Sequence, residues 1–167
     1  GVDYVMVQWG IWRAGGIAVP LCLTYPLPSL QYVIEDTEAS ILVVSSRYEL
    51  VLNNLARERE IRLIVLPGEI APERELPLLL PERKAMILYT SGTTSLPKGV
   101  VTTHRNLHAQ VTSLVNAWEW NPADAIVNVL PLHHVHGIVN VVSCALYTGA
   151  SCRFLGEFDA AAIFALF

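Results

Sequence analysis

The sequence predicts an α/β fold: a mostly parallel sheet with helices on both faces. Three observations predict it. Short runs such as "SILVVSS", "RLIVLP" and "KAMILYT" are continuously apolar rather than alternating, as strands covered on both faces must be. Stretches with helical spacing separate them, and strand–helix alternation is the pattern of parallel pairing through crossovers. The 167 residues are 53% hydrophobic and only 16% charged, against roughly 25% charged in ordinary soluble domains, so the chain fills a core and leaves apolar faces over.

Gly1 to Ala14 has helical spacing, with Val5, Met6, Trp9 and Trp12 on a broad apolar face, closed by Gly15-Gly16. "IAVPL" reads as a short buried strand. "TYPLPSLQYVIEDTEAS" holds a turn and then a helix with Leu30, Val33, Ile34 and Thr37 in register. Ser40 to Ser46 is the next strand, and Tyr48 to Glu60 a helix with Leu52, Leu55 and Ala56 inward. Pro67 to Glu82 follows "RLIVLP" as a surface loop, rich in Pro and Glu and without periodicity.

After the strand "KAMILYT", Thr103 is a suitable N-cap for a helix from His104. Its stripe comprises Leu107, Val111, Leu114, Val115 and Trp118. "AIVNVLPL" reads as a strand, Gly137 to Tyr147 as a helix and "SCRFL" as a strand, and Asp159 caps a last helix. The chain begins and ends inside helical patterns, which together with its apolar composition predicts a piece of a larger domain.

Composition excludes several functions. A net charge of −4 gives no nucleic-acid footprint, and the Arg57–Arg62 run, interleaved with glutamates, is a solvated helix end. Cys22, Cys144 and Cys152 are far apart with no CxxC spacing, so buried free thiols are expected, with no zinc ribbon or redox pair. The uncharged stretch Ala125–Cys152 could span a bilayer by length, but Pro131, three histidines, two asparagines and Gly137 break it into two buried elements. No signal or transit peptide and no transmembrane segment is expected, and an intracellular protein, mitochondrial or cytoplasmic, follows.

"ILYTSGTTSLPKGV" differs from everything around it. An apolar run stops at Thr90 and gives way to Ser91, Gly92, Thr93, Thr94 and Ser95, then Pro-Lys-Gly. Such a loop can turn several backbone N–H groups toward one anion, and phosphate above all. The hydroxyls add donors, and Lys98 adds a charge worth roughly 1.5–3 kcal/mol per bond to a phosphate oxygen. A Walker A loop is excluded, because Pro97 precedes Lys98 and Gly99 follows it, leaving no adjacent hydroxyl for magnesium.

"YTSGTTSLPKGV" resembles the signature [YF]-T-S-G-[ST]-T-G-x-P-K-G-V of the adenylate-forming enzymes: acyl-CoA synthetases, luciferases and peptide-synthetase adenylation domains. "GIWRAGGIAVPLCLTYPLPSLQYVIEDTEASILV" and "DAIVNVLPLHHVHGIVN" are similar to two further segments of that family, in order. The resemblance implies that Thr90, Ser91, Gly92, Thr93, Thr94, Ser95 and Lys98 bind ATP, with Thr94 and Lys98 acting on the departing phosphates. Ser95 stands where the family has glycine, which strains the loop if that position needs a left-handed backbone.

The histidines of "LPLHHVHG" admit three readings. They are core residues, or a metal pair lacking a third ligand nearby, or recognise an anionic acid. On an extended segment His134 and His136 would share one side and His133 take the other. The stretch resembles the malonyl-CoA synthetases, which implies that His134 and His136 bind malonate or methylmalonate. ATP, Mg²⁺ and coenzyme A would be the co-substrates and cofactor. A medium- or long-chain fatty acid is the alternative acid, and a truncated, non-catalytic nucleotide-binding module the alternative role.

The family's Tyr-Gly-x-Thr-Glu segment, its later aspartate and arginine, and its C-terminal lysine do not occur here. Residues 1–167 are thus expected to be an interior piece of the large N-terminal domain of an adenylate-forming enzyme, without the C-terminal domain. The remainder of its own chain is then its partner, and the piece alone is expected to be inactive.

Overall fold

The structure, a computed structural model, describes residues 1–68, 75–90, 96–156 and 158–166. The elements run α1 (Val2–Arg13), α2 (Leu27–Asp36), β1 (Ile41–Ser45), α3 (Ser46–Glu58), β2 (Arg62–Leu66), β3 (Lys84–Thr90), β4 (Lys98–Thr103), α4 (His104–Ala117) and β5 (Ala125–Asn128). A π-helix (His136–Ser143), α5 (Cys144–Thr148), β6 (Ser151–Phe154) and α6 (Ala160–Phe164) complete the order. The fold is the expected α/β one.

Among the described residues the strands form three pairs. β1–β2 runs parallel from Ile41↔Arg62 to Ser45↔Leu66, and β5–β6 parallel from Ala125↔Ser151 to Asn128↔Phe154. β3–β4 is an antiparallel hairpin, from Lys84↔Thr103 to Thr90↔Lys98. The extended run of β4 was not anticipated. "IAVPL" contributes only a single parallel bridge, Ala18↔Met86, and not a strand. Pro20 has no N–H to continue the ladder.

Two apolar clusters form. The first gathers Leu30, Ile34, Leu42, Val44, Leu52, Leu55 and Ala56 between α2, α3 and the β1–β2 pair. The second gathers Ala85, Met86, Leu88, Leu107, Val111, Ile138, Val139 and Cys144 around β3, α4 and the π-helix. The inward residues expected of α3 are the buried ones. Thr103 caps α4 through a capping box, accepting from the Asn106 amide at 3.2 Å while Asn106 Oδ1 accepts from the Thr103 amide at 3.1 Å. Asp159 likewise accepts from the Ala162 amide at the start of α6. All three cysteines are free, Cys22 and Cys144 buried.

Two helices depart from the expected faces. In α1 the buried residue is Gln8, whose Oε1 accepts from Tyr4 at 2.6 Å, while Met6 is exposed. Tyr4 and Trp12, one turn either side, pack on the second cluster, and the Trp12 indole donates to Ala85 O at 2.8 Å. The inward stripe is thus Tyr4–Gln8–Trp12.

In α4 Trp118 is 54% exposed, because the helix ends at Ala117 and Trp118 is its C-cap. Glu119 takes φ 55° and Trp120 donates its amide back to Val115 O at 3.1 Å, a Schellman ending that delivers Trp120 to the core instead. Glu38 (φ 49°) and Glu60 (φ 54°) end α2 and α3 in the same way, sending Ala39 and Ile61 into the first cluster.

Candidate active site

The β3–β4 hairpin carries Thr90 and Lys98, the two described ends of the stretch expected to bind phosphate. Thr90 and Lys98 are cross-strand partners at its loop end, both exposed, and the Thr90 hydroxyl donates to Lys98 O at 3.5 Å. The two ends of the motif therefore meet. Ser91, Gly92, Thr93, Thr94 and Ser95 lie outside the described residues.

Gly99 opposes Tyr89, and a Cβ there would sit 2.9 Å from Ile87 Cγ2 and 3.1 Å from the Tyr89 ring. The missing side chain lets the tyrosine lie across the neighbouring strand. The Tyr89 hydroxyl donates to Asp36 Oδ2, and Tyr32 donates to Pro97 O at 3.3 Å. The motif's opening tyrosine was visible in the sequence; its partners Tyr32 and Asp36, more than fifty residues away, were not.

The histidine segment is not extended. Residues 132–134 turn, and the π-helix begins at His136. Gly137 is what permits the turn: a Cβ would fall 2.6 Å from Pro131 O and 3.2 Å from Leu130 O. The period-two reading fails for that reason, and the three rings divide differently.

His133 lines a small cavity with Pro20, Cys22, Tyr25, Leu30, Val33 and Tyr89, of about 10 Å³, room for one water. Burial, then the neighbouring His134, lowers the His133 pKa from its ordinary value. His134 is exposed on the turn, its ring 4.1 Å from that of His133. His136 lines an open cleft of about 370 Å³ with Met86, Thr102, Asn106, Leu107, Gln110, Val135, Val139 and Asn140.

That cleft is mixed in chemistry. Met86, Leu107 and Val139 form an apolar floor, and Thr102, Asn106, Gln110, His136 and Asn140 supply donors. Gln110 Nε2 donates to Asn140 Oδ1 at 3.5 Å, tying α4 to the π-helix. His136 and Asn140 are one turn apart, so they project from neighbouring positions of the π-helix. The cleft opens on β3 and β4 at Met86 and Thr102, roughly 13 Å along the strand from the loop end of the hairpin. Gln110 and Asn140 carried no sequence signal, since each sits inside an otherwise ordinary helical pattern. Among the described residues no group of three or more His, Cys, Asp or Glu is placed to hold a metal ion.

A buried strand that ends where the hydroxyl-rich sequence begins and is taken up again at Lys98, on an α/β scaffold with a mixed cleft beside it, is the outline expected of the adenylate-forming fold. The family model for AMP-binding enzymes matches residues 1–167, and the chain belongs to that family. It is 45% identical over 166 residues to the mitochondrial malonate–CoA ligase ACSF3 of Xenopus laevis, covering 93% of this chain and 29% of that protein. It is 46% identical over 167 residues to the same-named ligase of Mus musculus, covering 95% and 29%. The crystal structure of ATP-bound MatB from Rhodopseudomonas palustris superposes with a TM-score of 0.90 at 30% identity, over 99% of this chain and 35% of that one. The chain thus spans about 29% of the length of these curated relatives, and the likeness to malonate–CoA ligases expected from "LPLHHVHG" is borne out.

Proposed function

We propose that this chain is the loop-bearing part of the N-terminal adenylation domain of an AMP-forming acid–thiol ligase. Its acid is a short dicarboxylate, malonate or methylmalonate, activated with ATP and passed to coenzyme A. The observation that carries the choice of acid is the cleft lining: five polar side chains, His136 among them, on a space of about 370 Å³. A dicarboxylic acid keeps one carboxylate in the pocket while the other reacts, and a buried unpaired carboxylate costs several kcal/mol. His136, Gln110 and Asn140 supply donors that offset this cost. A medium- or long-chain acid would leave the same donors facing methylenes. The names of the relatives support the dicarboxylate, and the word mitochondrial in them favours that compartment over the cytoplasm.

The chemistry assigns roles to this chain's residues. A carboxylate is a poor acyl donor because its leaving group would be an oxide. Attack of one carboxylate oxygen on the α-phosphorus of ATP breaks the bond to pyrophosphate and makes AMP the later leaving group. The coenzyme A thiol then displaces AMP.

Lys98, Thr90, the hydroxyls of Ser91, Thr93, Thr94 and Ser95, and the backbone N–H of Gly92 would hold the β- and γ-phosphates and stabilise the charge that builds on pyrophosphate. His136 would hold the acid's second carboxylate. His134, exposed on the turn, would reach the acid only where the remainder of the protein closes over it. Mg²⁺ would arrive with the phosphates, as this ion commonly binds through them.

The test is acid-dependent ATP–pyrophosphate exchange by the full-length protein, with malonate, methylmalonate, acetate and a medium-chain fatty acid side by side. Exchange is expected with the dicarboxylates and is lost in His136→Phe. Exchange with the fatty acid alone would overturn the choice of acid. No exchange with any acid would favour a non-catalytic nucleotide-binding module.

A further inference from the structure

We infer that α2 is a brace for the Thr90–Lys98 end of the β3–β4 hairpin, and that Tyr32, Asp36 and Tyr89 are positioning residues for ATP. The inference rests on the reading above that Thr90 and Lys98 hold the phosphates.

Few side chains of the hairpin itself hold its loop end. Thr90, Lys98 and Gly99 are exposed, and beyond the backbone ladder the last pair is joined by the Thr90 hydroxyl to Lys98 O at 3.5 Å. The second cluster packs on the other end of β3, at Ala85, Met86 and Leu88. What grips the loop's base comes from a different part of the chain.

Tyr32 and Asp36 are four residues apart on α2, hence on one face of it. Leu30, Val33 and Ile34 of the same helix are buried, Leu30 and Ile34 in the first cluster, so the helix is anchored independently of the hairpin. From that anchored helix the Tyr32 hydroxyl donates to Pro97 O at 3.3 Å, just before Lys98. Asp36 accepts from the Tyr89 hydroxyl, just before Thr90. One helix thus holds both legs of the hairpin, one residue from each phosphate-binding end.

The two rings also meet edge to face, with centroids 6.3 Å apart at 86°. Gly99 leaves the space in which the Tyr89 ring reaches across to α2. Burial, then the Asp36 carboxylate beside it, raises the Tyr89 pKa above the ordinary phenol value, and a phenol is a donor at working pH with or without that shift.

Holding the residues just before Thr90 and Lys98 pre-places the two groups read above as phosphate ligands, and pre-placement appears in affinity for the ligand they bind. Removing the brace should therefore weaken ATP and leave the acid and the thiol step alone. The experiment uses the full-length enzyme carrying Tyr32→Phe with Tyr89→Phe, which removes both hydroxyls and keeps both rings. The KM for ATP in acid-dependent pyrophosphate exchange is expected to rise about tenfold, the effect of losing two hydrogen bonds of ordinary strength. The KM for the acid and the rate of thioester formation from preformed acyl-adenylate are expected to stay within about twofold.

Asp36→Ala should reproduce part of the effect, and Asp36→Asn, whose amide oxygen still accepts from Tyr89, should restore most of it. An unchanged ATP KM overturns the inference, as does a parallel rise in the KM values for ATP and acid. Should the double variant not fold, Tyr32→Phe alone carries the test, with about a threefold rise expected and no rise overturning it. Lys98→Ala serves as the control. If it too leaves the ATP KM unchanged, the phosphate-loop reading fails; if it alone raises it, only the brace fails.

Discussion

The two apolar clusters are built on different plans. Around the first, α2, β1, α3 and β2 follow one another as a parallel pair joined by a helix, and the buried residues are those that helical and strand spacing select. Around the second, periodicity is broken twice. β3 turns back into an antiparallel partner, and the segment after β5 turns sharply and enters a π-helix, a feature common at functional sites. Both breaks fall where the proposed chemistry lies, one at the phosphate loop and one at the acid cleft. Regularity holds the scaffold, and departures from it place polar groups where a regular element would put packing.

The largest expected effect strikes the second region alone. Lys98→Ala in the full-length enzyme should lower kcat/KM for adenylation about a hundredfold or more, the scale of losing one preorganised charge contact. Thioester formation from preformed acyl-adenylate should change little, since pyrophosphate has already left. Single-turnover measurement of the two half-reactions separates these outcomes, and equal loss in both would argue against a phosphate role.

Next come two substitutions of opposite kind. Leu55→Ala, at a 5% exposed site in the first cluster, should destabilise by about 2–5 kcal/mol without a change in the relative KM values of acid and ATP. Gly137→Ala forces a methyl group to within 2.6 Å of the Pro131 carbonyl, and overpacking of this kind costs about 1–3 kcal/mol. It should also raise the acid KM, because the turn that aims His136 must shift. Thermal unfolding and acid KM, measured together on both variants, test the division. A rise in acid KM for Leu55→Ala as large as that for Gly137→Ala would erase it.

How much of this was legible in the sequence follows the same division. The inward face of α3 and the Thr103 cap were readable, because each is set by spacing within a few residues. β4 was not, since "KGVVTT" becomes a strand only by pairing with β3. The histidine turn escaped because it depends on Gly137 approaching the Pro131 carbonyl. Trp118 and Trp120 exchanged roles because the helix ended earlier than its apolar stripe suggested. The cleft residues Gln110 and Asn140 come together across two elements, a relation no local pattern encodes.

A smaller effect concerns pH. The His133 pKa lies below its ordinary 6.5, from burial and then from His134, so the folded protein binds its proton less readily than the unfolded chain. The stability this neutral histidine contributes is fully present above about 6.5 and is lost as pH falls from there toward the folded value. His104, lowered by burial and then by Arg83, adds in the same direction. Unfolding midpoints from pH 7.5 to 5 should therefore decline, and His133→Gln should flatten that decline. An unchanged slope in the variant would remove His133 from the account.

The smallest effect should ignore the division altogether. Glu38 and Glu60 end helices of the first region, and Glu119 ends α4 in the second, each with a positive φ between 49° and 55°. A left-handed backbone costs a residue with a Cβ about 1 kcal/mol, and glycine escapes that cost while losing more chain entropy on folding. Glu119→Gly should therefore stabilise by about 0.5 kcal/mol net, and Glu60→Gly by a similar amount, whatever each region does in catalysis. Glu119→Ala is the control, because alanine carries the same Cβ and should gain nothing by this route. If alanine stabilises as much as glycine, the glutamate side chain is at fault and not the backbone. If the gain appears at Glu60 and not at Glu119, the ending of α4 is held by something its neighbours lack, and Trp120, which that ending delivers to the core, is the residue to change next.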